Sequence, residues 1–593
     1  MSDYRAPLTD MRFVLKHIAG LDEILNLQHY GGFDEELIAA ILDESAKFTS
    51  EVLAPLNTIG DQTGSTCTDG EVSTPPGWKE AYRQFVEGGW NGLAFSPNYG
   101  GQGLPWLVAT SIQEMWHSAN MSFGLCPLLT QGAIRALESH GSLKQKELYM
   151  EKLISGQWAG TMNLTEAHAG SDLAVIRTKA VESGDHYLIS GQKIFITYGD
   201  HDLTENIIHF VLARCTDSPA GVKGISLFIV PKYLLNDDGS PGERNDVRCV
   251  SLEHKLGIHA SPTAVLSYGD EGGAVGYLIG EKNRGLEYMF TMMNLARHAV
   301  GVEGLAIGER AYQQALEYAK GRVQGSAPGT KERVAIVRHP DVRRMLMSMK
   351  SLNEAMRCLA YYSSAIFDLS HTHPDEDQRN EYARDLGLLI PIVKGWCAEV
   401  GNEVAYLGVQ VHGGMGFIEE TGAAQHLRDV RITPIYEGTT GIQANDLIGR
   451  KVLRDKDRSI YALIDKITHS CETECKRGDS TETVRQSVID SLELLKRTTD
   501  WIYTQGELDG DITAASVSYM HLLALTVVGW LMALCAARAD QLADDSAFDN
   551  QFAEAKIVTA KYFAAHIMPR AQAYATSVMN SQIATMELTD EQM

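Results

Sequence analysis

The chain has 593 residues, 76 acidic against 52 basic, and a formal net charge of −24. That balance excludes nucleic acid as a general partner, because a duplex is held by a basic face. It leaves room for a phosphate-bearing small molecule, which a few local Arg or Lys side chains or a helix N-terminus can hold.

In chain order, residues 1–33 read as an extended arm with a short helix over Asp10–Ile18. Met1–Pro7 has no apolar run of the signal-peptide kind. Residues 34–157 read as helical: Leu37, Ile38, Ile41, Leu42 and Ala46 share one face, and Glu35 and Glu36 open the helix. Residues 59–77, rich in Pro, Gly and Thr, read as a loop. The period changes near Trp158. Residues 158–281 hold short β-rich runs at Val175–Val181, Tyr187–Ile196, Ile207–Arg214, Ile225–Val230, Val247–Leu252 and Ala264–Tyr268, a compact all-β middle domain. Residues 282–456 return to the helical period, with a polar break at Gly321–Arg338. Residues 457–593 form a further helical unit: a stripe of Val484, Val488, Leu492, Leu495 and Ile502, an apolar run over 517–537, an acidic connector at 540–550 and a helix over Ala553–Met579. The expected fold is therefore mainly α with a central all-β domain.

Leu522–Ala537 is 16 residues without a charge, short of the roughly 20 that span a bilayer. It reads as a buried helix, so membrane association is not expected. The nine cysteines are scattered with no CxxC pair, which fits a reducing compartment and a cytoplasmic protein. Cys471 and Cys475 read as plain helix surface, and no metal site is expected.

Three segments carry chemistry. Pro434–Gln443 (PIYEGTTGIQ) puts one carboxylate, Glu437, between an aromatic residue and a glycine with little competing charge. A carboxylate so placed has a raised pKa and can act as base on a weakly acidic C–H. Taken alone it also fits a Glu in a first helical turn. Thr165–Asp172 (TEAHAGSD) and Gln410–Phe417 (QVHGGMGF) are glycine-bearing; alone, they fit an ordinary turn and a helix-capping loop.

In this order and spacing, the three segments resemble the acyl-CoA dehydrogenase family of flavoenzymes, over roughly residues 35–455. The resemblance implies an acyl-CoA dehydrogenase fold: a helical domain, a β-barrel or sandwich domain and a four-helix bundle, here with a C-terminal helical extension. It implies FAD as cofactor, an acyl-CoA substrate oxidised to the trans-2-enoyl thioester, and electron-transfer flavoprotein as acceptor. Glu437 would take the α-proton, and its own amide would join the oxyanion hole. Leu164, Thr165, Gly170, Ser171, Phe195, Thr197 and Thr439 would contact the flavin. Arg322, Gln410, Gly413 and Gly414 would hold the FAD diphosphate and adenosine across a homodimer interface. Ser171, Arg297, Tyr436 and Gly438 would line the acyl-CoA site. Some relatives place the base just before Arg297, but Ala296 stands there; Glu303, two turns further on, is the nearby rival. The family pattern has Pro where Ala167 stands and Trp where Phe195 stands. Within the long bacterial branch, the resemblance implies 3-methylmercaptopropionyl-CoA as substrate, in dimethylsulfoniopropionate breakdown. A short- to long-chain fatty acyl-CoA, or an acyl-CoA oxidase reaction, is the alternative.

Overall fold

The computed structural model describes residues 4–329, 331–475, 478–506, 510–543 and 549–593. Residues 1–3 of the expected arm, 330 of the polar break and 544–548 of the expected connector lie outside them. The chain divides into two compact units, each assembled from discontinuous stretches: residues 1–46, 105–118 and 297–593, and residues 47–104 and 119–296.

The second unit is built on an eight-stranded sheet. The order along it is Val247–Leu252, Thr263–Tyr268, His186–Thr197, Ala274–Leu278, Ser226–Pro231, Asn206–Cys215, Trp158–Asn163. Lys179–Ser183 pairs with both His186–Thr197 and Asn206–Cys215, giving the sheet a barrel-like closure. The 12-residue strand His186–Thr197 makes this possible, because it pairs with three neighbours along its length. Bulges at Cys249/Ser251 and Ala264/Leu266 bend the sheet. Ile189, Val211, Phe228, Val230, Ala264 and Leu266 fill its interior.

The first unit is helical. Gly285–Gly321, whose length from Arg297 belongs to it, runs against Glu376–His412 so closely that glycine is required. A Cβ at Gly301 would come within 2.5 Å of the Val393 carbonyl, and one at Gly304 within 2.3 Å of that of Cys397. Pro340–Thr372 packs antiparallel to Glu376–His412. Gly510–Leu542 is the core helix of the C-terminal part; Ile512–Leu542 is long and apolar enough to cross a membrane, yet 94% of its apolar window is buried inside the protein. Helices Asp479–Gln505, Asn550–Tyr562 and Arg570–Met579 surround it.

A buried charge network ties this unit together. Arg357 donates to Glu114 Oε1 (2.6 Å), Asp10 Oδ2 (2.5 Å) and Glu309 Oε2 (3.0 Å). Lys556 donates to Asp10 Oδ1 (2.6 Å) and Glu354 Oε2 (2.8 Å). Lys350 closes on Glu354, and the Tyr361 hydroxyl donates to Glu114. The N-terminal helix Leu8–His17, through Asp10, is thereby bonded to both the bundle and the C-terminal helices.

Several elements differ from the sequence reading. The expected loop 59–77 holds the end of a helix, Ala54–Thr63, and a small hairpin, Thr66–Thr68 with Glu71–Ser73. The polar break holds another, Val323–Ser326 with Arg333–Ala335. Such runs are too short for the period-2 signal to register. The expected helix Ala553–Met579 is interrupted at Phe563–Pro569, where Pro569 starts a new helix, Arg570–Met579. Cys471 and Cys475 are buried rather than on a helix surface, at 0% and 1% exposure: Cys471 is on the inward face of the helix Ser459–Thr473, and Cys475 follows its C-cap, Glu474. No group of metal-ligating side chains is present among the described residues.

Candidate active site

The turn carrying Glu437 is conformationally unusual. Glu437 has φ of 56° and Gly438 has φ of 86°. A left-handed non-glycine residue costs on the order of 1–3 kcal/mol and persists only where its surroundings hold it. Here four side chains do so. Gln443 Nε2 donates to the Glu437 carbonyl at 3.1 Å, and Arg297 Nε to the same oxygen at 3.4 Å. Lys394 Nζ donates to the Gly438 carbonyl at 2.6 Å. The Tyr436 hydroxyl donates to Glu303. After the turn, Thr439 caps the helix Thr440–Asp446, its hydroxyl accepting from the Ile442 amide, and Thr440 donates to Glu399 Oε1 at 2.7 Å. A Cβ at Gly438 would meet Gln443 Nε2 at 2.8 Å, so the position suits glycine twice over. The Glu437 amide makes no backbone–backbone hydrogen bond among the described residues.

Electrostatics follow from the packing. Burial pushes the Glu437 carboxyl up to about 7, and Arg297 and Lys394 pull it back part of the way. The side chain stays half-buried, so desolvation and access coexist. Burial lowers Lys394 to about 8, against the pull of Glu437 and Glu303. A carboxylate half ionised near neutrality is fitted to take a proton from carbon and to hold it.

In the other unit, the segment after strand Trp158–Asn163 is pinned from below. The Thr165 carbonyl accepts from the Ile194 amide (2.9 Å) and the Leu164 carbonyl from Lys193 Nζ (2.9 Å). Glu166, 5% exposed, accepts from Lys193, Thr178 and the Arg177 amide. Burial outweighs this pairing at Lys193, whose pKa falls to about 8. Ala167 and His168 are exposed at the tip of a turn closed by mutual hydrogen bonds between Glu166 and Ala169. The pinning brings Leu164 and Thr165 beside the strand of Phe195 and Thr197. Phe195 is left-handed, with φ of 60°, and 58% exposed. Gly170 and Ser171 are exposed on the same segment.

Arg322 and the Gln410–Gly414 segment share one end of the helical unit. Tyr318, one turn before Arg322, stacks on His412, directly before Gly413, with ring centroids 4.4 Å apart. Arg322, Gln410, Gly413 and Gly414 are all exposed. No heavy atom lies within 4 Å of where a Cβ would stand at Gly170, Gly413 or Gly414. Exposed glycine backbone open to close approach, with an exposed Arg322 at the same end of the helical unit as Gly413 and Gly414, fits the diphosphate and ring edge of a dinucleotide cofactor.

Lys394 and Lys193 are the site residues that the sequence reading missed. The signal available for Lys394 was a lone charge in an apolar run, Leu388–Cys397 (LLIPIVKGWC); none marked Lys193. Arg428 and Asp429 form structural contacts, Arg428 with Glu419 and Asp429 with Gln425.

Comparison with known proteins is consistent along the chain. The family descriptions "Acyl-CoA dehydrogenase, N-terminal domain", "middle domain" and "C-terminal domain" match residues 36–157, 161–270 and 283–453. "Acetyl-CoA dehydrogenase C-terminal like" matches 463–589. The 3-methylmercaptopropionyl-CoA dehydrogenase of Ruegeria pomeroyi is 48% identical over 95% of this chain and 96% of its own. Among solved structures, ACDH-11 of Caenorhabditis elegans in complex with C11-CoA superposes with a TM-score of 0.77 at 20% identity, covering 98% of this chain and 96% of its own. An acyl-CoA dehydrogenase from Bacillus anthracis complexed with FAD superposes with a TM-score of 0.71 at 20% identity, covering 96% and 91%.

Proposed function

The chain belongs to the acyl-CoA dehydrogenase family, and from that premise we propose that it oxidises 3-methylmercaptopropionyl-CoA to methylthioacryloyl-CoA with Glu437 as the α-proton base. The family is an FAD-dependent group of oxidoreductases acting on acyl-CoA thioesters. The acyl group is argued from the 48% identity to the Ruegeria pomeroyi enzyme. One observation carries the mechanism: a carboxylate raised to about 7 by burial, in a left-handed turn clamped by Arg297, Lys394 and Gln443.

Glu437, in its ionised form, removes the α-proton. Its amide N–H donates to the thioester oxygen as charge builds there, the point at which an oriented donor does most. Arg297 and Lys394 hold the turn and balance the carboxylate charge, so that more of the base is ionised near neutrality than burial alone would leave. Bound FAD supplies an acceptor for the hydride leaving the β-carbon. By the family resemblance, Leu164, Thr165, Gly170, Ser171, Phe195, Thr197 and Thr439 would hold its ring end. Arg322, Gln410, Gly413 and Gly414 would hold the diphosphate of the partner copy's FAD in a homodimer. Ser171, Arg297, Tyr436 and Gly438 would contact the acyl-CoA. The exposed Phe195 offers the surface on which electron-transfer flavoprotein docks. A cytoplasmic setting accords with nine free cysteines.

Anaerobic addition of acyl-CoA thioesters to the holoprotein tests this reading. Bleaching of the flavin absorbance by 3-methylmercaptopropionyl-CoA, faster than by butyryl-, octanoyl- or palmitoyl-CoA, is expected. Faster bleaching by a fatty acyl thioester would replace the substrate, and rapid reoxidation in air would replace the dehydrogenase by an oxidase. No bleaching by any of them would refute the reading.

A further inference from the structure

Glu303 sits at the bottom of the same site and has no part in the mechanism above. It lies on the helix Gly285–Gly321 with 0% exposure. Gly301 and Gly304, by letting that helix press against Glu376–His412, carry it this deep. Its Oε2 accepts the Tyr436 hydroxyl. Its Oε1 is buried without a hydrogen-bond partner. A fully buried carboxylate with one oxygen unpartnered is expensive as an anion, so packing alone does not account for it. The charged groups that act on it come from two other elements: Glu437 from the turn and Lys394 from the helix Glu376–His412. Arg297, on Glu303's own helix, acts on Glu437; Asp446 and Arg450 act on Arg297, and Glu399 on Lys394.

We propose that Glu303 is a positioning residue for the proton transfer: it anchors Tyr436, and through it the left-handed turn at Glu437, and shares a single negative charge with Glu437 at neutral pH. The two carboxyl groups sit in one water-poor site, so their protons leave in two steps. Glu303 is fully enclosed with one oxygen unpartnered, and burial and the charge of Glu437 raise it, whereas Glu437 is half-buried and has Arg297 and Lys394 to favour its anion. Near pH 7 the base therefore ionises while Glu303 keeps its proton. In mild alkali the second charge forms, strengthens the hydrogen bond from Tyr436 and makes Glu437 a stronger base.

The inference rests on Glu437 being the base, and the experiment separates the two. The pH profile of kcat/KM for flavin reduction is measured for the holoenzyme and for E303Q, Y436F and E437Q, with infrared spectra of the carboxyl region at pH 7. Wild type is expected to rise through about pH 7 and to show a second rise at higher pH as Glu303 loses its proton. E303Q keeps the first rise, loses the second, and loses a protonated-carboxyl band. In Y436F the second rise moves to higher pH, because the Tyr436 bond that lowers Glu303 is gone. E303Q with both rises and an unchanged carboxyl band overturns the inference while the base reading stands. If E303Q does not fold, a Y436F profile with its second rise unmoved overturns it equally. Full flavin reduction in E437Q removes the base reading and this inference with it.

Discussion

Arg357→Leu is the most demanding test of how the helical unit is held. Arg357 is 1% exposed and bonded to three carboxylates at 2.5–3.0 Å. The network around it contains four carboxylates, Asp10, Glu114, Glu309 and Glu354, and three cations, Lys350, Arg357 and Lys556. The substitution changes its formal charge from −1 (three minus four) to −2 (two minus four) and leaves Glu114 with no cation. Removing one partner of a buried ion pair costs about 3–5 kcal/mol, because the other charge is stranded. The cost should depend on pH. Burial already holds the Glu114 pKa above its ordinary value, with Arg357 opposing; without Arg357 it rises further. A carboxyl raised on folding gives stability that is present below its unfolded pKa and lost as pH rises through the folded one. R357L should therefore be most deficient at pH 8 and recover towards pH 5. Urea midpoints at unchanged slope measure this. The double variant R357L/E114Q should regain part of the loss, since the stranded charge is gone. A deficit below about 1 kcal/mol, or one that does not change with pH, would mean that the network is solvated rather than buried.

Four further outcomes, from three variants, follow from the site. E437Q should bind FAD normally and reduce it about 10²- to 10⁴-fold more slowly. Because folding raises Glu437 to about 7, its stabilising contribution fades as pH rises to that value. E437Q should therefore gain about 1–3 kcal/mol over wild type at pH 8 and nothing at pH 4; equal urea curves at pH 8 would contradict the burial of this carboxyl. Lys394→Met should move the acid limb of kcat/KM above pH 7, since it removes a cation that lowers Glu437; a limb moved downward would reverse the assigned sign. Arg322→Ala should lose FAD on gel filtration without unfolding, its side chain being exposed; full retention of flavin would remove Arg322 from the diphosphate site.

Much of this was legible in sequence because the signals are local. The strand His186–Thr197 announces itself by β-rich composition between turns, the helix Gly285–Gly321 by the return of helical spacing, and the helix Gly510–Leu542 by a long uncharged apolar run. The hairpins at 66–73 and 323–335 do not, since their strands of three or four residues sit on mostly exposed turns. Cys471 and Cys475 looked like surface because one helix cannot report what covers it.

The division between sequence and tertiary structure runs through the site itself. The Tyr436-Glu437-Gly438 triplet, the glycine segments and their order along the chain sufficed to name the family, because residue type and spacing encode which chemistry a turn can offer. That Glu437 stands in a left-handed conformation, that Lys394 and Arg297 temper its charge, and that Glu303 lies beneath it were decided by long-range packing. Lys394, on the helix 376–412, and Glu303, on the helix 285–321, are far from residue 437 in the chain. A pKa depends on which charges and how much water surround a group in space, and no spacing along the sequence carries that information.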